Sequence, residues 1–260
     1  MTDYYDIEAT SATFLCRMAS RNYAHAMVKR ETQAMGFGTA FHCLLLEPEK
    51  FKRAYSYDWP VNASTGKPYG ADTKKVLAWQ EHLAERDMLG LRTSDRDRLY
   101  QMRDNLLAMP EARTLILNAQ ADKEREIFWE HLSTGESCKS KLDIISPDYI
   151  IDVKTTSDAS HSGFMRSIGK WRYDIQATFY QMAAESIDCV ERPFYFACVE
   201  HEHPFSAAIY PLDASGADAN RGLIGRLIEE IQEKRKEGKS FSRNYYRGMG
   251  PYVSCPKWAQ

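Results

Sequence analysis

Near Lys123 the spacing of apolar residues switches from helical to alternating, and few folds accommodate that switch. From there to Thr156 the chain reads KEREIFWEHL, ESCKSKLDII and DYIIDVKTT, with Ser-Thr-Gly and Ser-Pro-Asp turns between the runs. Short β-favouring runs with a period of two, joined by turn residues, predict an antiparallel meander. A helix over about Arg172 to Ile187, strands at PFYFACVE and FSAAIYPL, and a helix from about Gly216 to Lys236 complete a βββ-α-ββ-α order. That order predicts an α/β fold with a mixed central β-sheet and flanking helices.

Upstream of the meander the pattern is helical. Thr10 and Ser11 cap a segment that puts Phe14, Leu15 and Met18 on one face, and a second segment closes at Leu44 to Leu46 before Pro48. A helix from about Asp72 to Leu89 would turn Val76, Trp79 and Leu83 inward and stop at Gly90. The next would open at Ser94, with Asp97 at the capping-box position and Leu99, Met102 and Leu106 inward. NASTGKPYG at 62–70 is a loop by composition. No Pro/Gly/Ser-rich linker divides the chain, and 260 residues at 43% hydrophobic content suffice for a sizeable core. The expectation is one domain over 1–260, with a helical N-terminal layer at 1–110 and an α/β core at 120–240.

The chemistry concentrates in the hairpin Lys141 to Lys154. On a strand Asp152 and Lys154 share a face while Ile151 and Val153 point into a core. A turn centred between Pro147 and Asp148 makes positions summing to 295 face each other, which sets Asp143 against Asp152 and Lys141 against Lys154. Like charges directly across a ladder destabilise by roughly 0.2–1 kcal/mol. A divalent cation between the two carboxylates removes that penalty. Hard cations such as Mg²⁺ take oxygen ligands and activate water toward phosphodiesters, with a neighbouring lysine to orient or deprotonate the water and offset phosphoryl charge. The ordinary alternative for Asp-x-Lys is an exposed ion pair on an edge strand.

Other residues add to the pattern. Glu124 and Glu126, of equal strand parity, can each supply a carboxylate beside Asp143. His42 lies in Gly-Thr-Ala-Phe-His on an apolar segment, and Gln176 and Tyr180 share a helix face at i, i+4. Between His161 and Tyr173, Arg166, Lys170, Trp171 and Arg172 occur without an acidic residue, a composition suited to a phosphate backbone. Arg17 and Arg21, with Lys29 and Arg30, form a second basic run, and 221–247 a third that ends near Tyr245-Tyr246-Arg247.

Together these residues resemble the PD-(D/E)XK nuclease superfamily with its restriction-endonuclease-like core, and within it the RecE-type exonucleases (the C-terminal nuclease domain of exonuclease VIII). The carriers are GTAFHCLLLEPEKF at 38–51, EREIFWE at 124–130, KLD at 141–143, IIDVKTT at 150–156, YDIQATFY at 173–180 and the closing Pro256-Lys257-Trp258-Ala259. The resemblance implies His42, Glu124, Asp143 and Asp152 around Mg²⁺, with Mn²⁺ as a substitute, and Lys154 as the catalytic lysine beside Gln176 and Tyr180. Glu126 is the alternative to Glu124.

It further implies 5′ to 3′ degradation of linear double-stranded DNA from its ends, leaving a 3′ overhang for a single-strand annealing protein of RecT type. A ring-shaped homo-oligomer, trimer or tetramer, goes with it, and Arg17, Arg21, Arg166, Lys170 and Arg172 are the candidate DNA contacts. The alternatives are an endonuclease of the same superfamily and a non-catalytic DNA-end-binding module.

Composition bears on this reading only weakly. A net charge of -2, from 34 basic and 36 acidic residues, does not by itself point to nucleic acid. Six scattered cysteines without a C-x-x-C pair predict reduced thiols rather than an iron–sulfur cluster. The acidic N-terminus lacks secretory features and no apolar run is long enough to span a bilayer, so the expected compartment is the cytoplasm, with no membrane partner.

Overall fold

The computed structural model describes residues 4–28 and 33–236. The N-terminal part runs β1 (Thr10–Ser11), α1 (Ala12–Ser20), α2 (Tyr23–Ala26), α3 (Gln33–Leu46), α4 (Pro48–Ala54) and β2 (Tyr55–Ser56). It continues through α5 (Lys74–Ala84), β3 (Leu89–Gly90), α6 (Thr93–Ala108) and α7 (Pro110–Ile116). The core follows as β4 (Asp122–His131), β5 (Glu136–Ile145), β6 (Ile150–Thr156), α8 (His161–Trp171), α9 (Tyr173–Asp188), β7 (Phe194–Glu200), β8 (Ala207–Pro211) and α10 (Ala217–Lys236).

The result is a mixed α/β fold whose central sheet is flanked by helices. Strands β5, β6, β7 and β8 lie side by side, β6 and β7 parallel and the other pairs antiparallel, while β4 pairs with the outer edge of β5. One face buries Ile144, Ile151, Val153, Ala197 and Val199 under α3, α4, α6 and α7. The other buries Ile150, Phe194, Phe196 and Cys198 against Phe164 of α8 and Ala177, Ala183 and Ala184 of α9. With both faces covered, β7 is apolar nearly throughout and β6 buries Ile150, Ile151 and Val153, as a parallel pair between helical layers requires. Asp152 is therefore a carboxylate 2% exposed inside a buried strand.

Several local expectations are met and several are not. Ser11 caps α1, accepting from the Phe14 N–H, and Leu99, Met102 and Leu106 are fully buried. The expected helix to Leu89 stops at Ala84, because Leu89–Gly90 pairs in parallel with Tyr55–Ser56. Gly90 is then not a helix stop; a Cβ there would lie 2.2 Å from the Trp79 ring, so only glycine lets this small sheet meet α5. Asp97 forms no capping box: α6 starts at Thr93 without a side-chain cap, and Asp97 pairs with its neighbour Arg96 at 2.6 Å. The stretch from His161, read above only as basic and aromatic, is helix α8, capped by Ser160. Thr10–Ser11 doubles as a strand beside Cys138 and Lys139. Among the described residues the cysteines are free thiols, and no helix is long and apolar enough to cross a membrane.

Candidate metal centre

The site forms where the meander loses its regularity. Ile144 pairs with Ile151 and Ile145 with Ile150, the register of positions summing to 295, but the ladder ends there. Asp143 and Asp152 are thus not ladder partners, nor are Lys141 and Lys154. The strands part, and the Val153 N–H donates to Asp143 Oδ2 at 2.7 Å in place of a backbone carbonyl. Lower down, the same edge of β5 is taken by β1.

Across β5 on its other edge, Glu124 sits where the β4 ladder skips a pair, between Lys123 opposite Ile144 and Arg125 opposite Leu142. Its φ of 53° is left-handed, a conformation that costs a non-glycine residue roughly 1–2 kcal/mol. The strand alternation breaks at the same level. Leu142 packs with Ile150 and Phe164, whereas Ile144, two residues on, packs with Ile151 and Val153 on the opposite face. This kink aims Glu124 away from the ordinary strand direction. Strain of this size at an irregular strand fits a functional position.

Helix α3 brings the third group. It is apolar nearly all round, with Ala40, Phe41, Leu44, Leu45 and Leu46 buried, and it crosses β6 closely enough that a Cβ on Gly38 would lie 3.5 Å from Thr155 Oγ1. That approach puts His42 Nδ1 3.5 Å from Asp143 Oδ1. Ligand atoms of His42, Glu124 and Asp143 lie within 4.8 Å of one another. Glu126 is farther along β4, 3.7 Å from Lys141 Nζ, while the same ammonium lies 3.1 Å from Glu124 Oε2.

Beside this triad the buried Oδ2 of Asp152 is ion-paired to the Lys154 ammonium. Two carboxylates and an imidazole converging beside this ion pair fit a divalent cation, whose charge would offset the like charges.

The titration of these groups follows from their packing. Burial, with the nearby Asp143 charge, pushes Asp152 up to about 6 against the pull of Lys154. Burial acts the same way on Asp143, but His42, Lys154 and the Val153 N–H outweigh it and hold this carboxyl below the ordinary value. For His42, burial favours the neutral ring, and Asp143 overcomes it to raise the pKa. Burial also works to discharge Lys154, but Asp152, Tyr173 and Asp143 prevail, so the ammonium stays protonated at neutral pH. Two neighbouring carboxylates pushed apart in this way share one site.

Helix α9 closes the other side. Gln176 Nε2 donates to the Tyr180 hydroxyl at 3.1 Å, and Tyr180, buried near Asp152 and Asp143, is held well above its usual pKa and remains a phenol. Sequence reasoning missed Tyr173, whose ring lies 4.6 Å from Lys154 Nζ. The available signal was its position one turn before Gln176 in YDIQATFY.

The expected DNA contacts are less concentrated. Arg166 pairs with Asp158 at 3.1 Å and Arg172 with Asp174 at 3.0 Å, carboxylates just outside the stretch that looked free of acids. Lys170 is exposed over the Trp171 ring at 4.7 Å. Arg17 donates to the Val28 carbonyl and Arg21 closes α1, neither joined to the carboxylates. In the third basic run Arg221 pairs with Glu185 and Arg235 with Glu136. Lys29, Arg30, Tyr245, Tyr246, Arg247 and the closing Pro-Lys-Trp-Ala lie outside the described residues.

Residues 1–243 match the family described as "PDDEXK-like domain of unknown function (DUF3799)". The chain belongs to this family. The PDDEXK-like fold extends to a crystal structure of a "Putative exonuclease" from Eubacterium rectale, 12% identical, which aligns over 98% of this chain and 96% of the other at a TM-score of 0.64. A structure of SSO0001 aligns over 62% of this chain and 67% of the other, at 16% identity and a TM-score of 0.32. No curated protein matches in sequence.

Proposed function

We propose that this PDDEXK-like domain is a divalent-metal-dependent exodeoxyribonuclease. In this reading it uses Mg²⁺, or Mn²⁺ in its place, to degrade linear double-stranded DNA 5′ to 3′ and leave 3′ overhangs. The observation that carries the reading is the convergence of His42, Glu124 and Asp143 beside the buried Asp152–Lys154 pair. Membership in a PDDEXK-like family supports nuclease chemistry, and the name of the Eubacterium rectale protein favours an exonuclease within it.

His42, Glu124, Asp143 and Asp152 would hold the cation, which when bound neutralises phosphate charge and activates water for in-line attack. Everything else falls to the chain itself. The Val153 N–H fixes the Asp143 carboxylate, and Lys141 steadies Glu124. Lys154, kept protonated by Asp152 and backed by the Tyr173 ring, offers positive charge to a phosphoryl oxygen rather than acting as a base. The Tyr180 phenol, oriented by Gln176, is a neutral donor toward the same phosphate. A ring-shaped trimer or tetramer and a single-strand annealing partner of RecT type belong to the proposal as its biological setting.

The test is digestion of a linear duplex labelled separately at each 5′ and 3′ end, with and without Mg²⁺, alongside a covalently closed circle. The expected result is metal-dependent loss of the 5′ label first, an intact circle, and cleavage reduced about 10²- to 10³-fold in Lys154→Ala. Prior release of the 3′ label rejects the polarity, and cutting of the circle at defined sequences points to an endonuclease.

A further inference from the structure

A cavity of about 850 Å³ runs from Lys154 and Tyr173 to the segment that precedes α6, and the nuclease chemistry uses only its inner end. Its outer part is lined by Arg92, Trp171 and Lys170, and by Trp59 beneath Arg92. Asp95 is the one carboxylate in the described lining, and it is committed to Arg98 at 3.4 Å. Lys154 is likewise paired, with Asp152. Arg92 and Lys170 remain; both are exposed, and neither has a carboxylate within ion-pairing distance among the described residues.

What holds these two cations is aromatic. The Arg92 guanidinium lies 5.1 Å from the centroid of the Trp59 ring, which is itself fixed by a 2.9 Å bond from Nε1 to the Tyr69 carbonyl. The Lys170 ammonium lies 4.7 Å from the ring of Trp171, a tryptophan 53% exposed at the end of α8. A guanidinium held over an indole by cation–π attraction, without a carboxylate partner, keeps N–H groups free for phosphate. An exposed indole offers a face on which an unpaired base stacks, an interaction open to any base but closed to one already stacked in a duplex. The volume is that of a ligand pocket and holds roughly one to three nucleotides, not a double helix.

We propose that Arg92, Lys170 and Trp171 form a subsite for single-stranded nucleic acid that leads an unpaired strand to Lys154. The proposal rests on reading the adjoining carboxylates as a nuclease centre. It adds that the strand presented there is already separated from its complement. Arg92 and Trp59 belong to the segment around the small β2–β3 sheet, outside the central sheet, so the subsite is built jointly by this segment and by α8.

The experiment measures binding of the full chain, in EDTA to prevent cleavage, to a fluorescent ten-nucleotide oligo(dT) and to a blunt duplex of the same length. Wild type is expected to prefer the single strand. Trp171→Ala should weaken single-strand binding about tenfold, with Trp171→Phe close to wild type. Arg92→Ala and Lys170→Gln should each reduce the steepness of log Kd against log salt by about 0.7. Equal losses on both ligands, or no loss in any variant, overturn the subsite. Cleavage of linear duplex in Mn²⁺ is measured in parallel. Unchanged binding in proteins that still cut sinks the subsite and keeps the nuclease, whereas the expected binding pattern in a protein that never cuts does the reverse. Thermal midpoints of the exposed-residue variants within a few degrees of wild type exclude misfolding as the cause.

Discussion

Glu124 combines two costs that a pair of substitutions can separate. Its left-handed backbone stores roughly 1–2 kcal/mol that glycine would not pay and alanine would. Either substitution also removes the half-buried 3.1 Å pair with Lys141, worth about 1 kcal/mol or less since Lys141 retains Glu126. Without metal, Glu124→Gly should therefore be within about 1 kcal/mol of wild type, and Glu124→Ala less stable than Glu124→Gly by about 1 kcal/mol. Within a regular strand the order is the opposite, glycine being worse than alanine by about 0.5–1 kcal/mol.

Urea unfolding in EDTA reads this order directly, as midpoint differences at constant slope. A second arm adds Mn²⁺. At a hundred times Kd a single bound ion stabilises the wild type by about 2.7 kcal/mol, and both variants should lose most of that gain. Glu124→Ala matching or exceeding Glu124→Gly would refute the left-handed backbone and with it the reason Glu124 differs from Glu126. An undiminished Mn²⁺ gain in either variant would remove Glu124 from the ligand set.

Other expectations concern protons and packing. Because the His42 pKa is raised above the ordinary imidazole value and that of Asp152 to about 6, and neither protonated form can ligate, Mn²⁺ affinity should fall about tenfold per pH unit once His42 protonates and more steeply below 6, where Asp152 protonates as well. Calorimetric titrations from pH 5 to 7.5 check this, and a flat affinity contradicts it. Glu136 is buried where β5 meets α10; burial pushes its pKa up, but hydrogen bonds from Thr10, Arg235 and Gln232 outweigh this and hold it below 4.5. A depressed carboxyl stabilises the fold above its unfolded pKa and ceases to as pH falls through the folded one. Glu136→Gln should thus cost about 1.5–3 kcal/mol at pH 7 in denaturant unfolding, with the difference from wild type shrinking below about pH 4. Gly163 in α8 has no room for a side chain, since a Cβ would fall 2.1 Å from the Asp158 carboxyl carbon. Gly163→Ala should destabilise by about 1–3 kcal/mol, and adding Asp158→Ala should recover part of the loss; no recovery in the double variant would place the clash elsewhere.

The order of strands β4 to β8 with helices α9 and α10, the register of Ile144 with Ile151, and the buried faces of α1 and α6 were legible in the chain because they rest on local periodicity and turn chemistry. The same is true of the residues that resemble a nuclease, which stand together in short motifs. What failed was non-local. Leu89 and Gly90 read as a helix end because pairing with Tyr55–Ser56, across more than thirty residues, leaves no periodic trace. A local miss accompanied it: Arg166 and Arg172 read as free cations because the carboxylates that neutralise them lie just beyond the ends of the stretch.

The sequence by itself determined which groups are available: two hairpin carboxylates, a lysine two residues on, a histidine in an apolar helix, and alternating strands to carry them. Alternation assigns each residue a face and stops there, so it left Glu124 and Glu126 equivalent and set Asp143 squarely against Asp152. Only the tertiary structure decided between them. Covering the sheet on both faces buried Asp152, and the kink at Glu124 broke the alternation. The crossing of α3 then brought His42 to Asp143. The burial of Asp152 and the approach of His42 depend on helices packed from distant parts of the chain, whose steric demands override what neighbouring residues prefer.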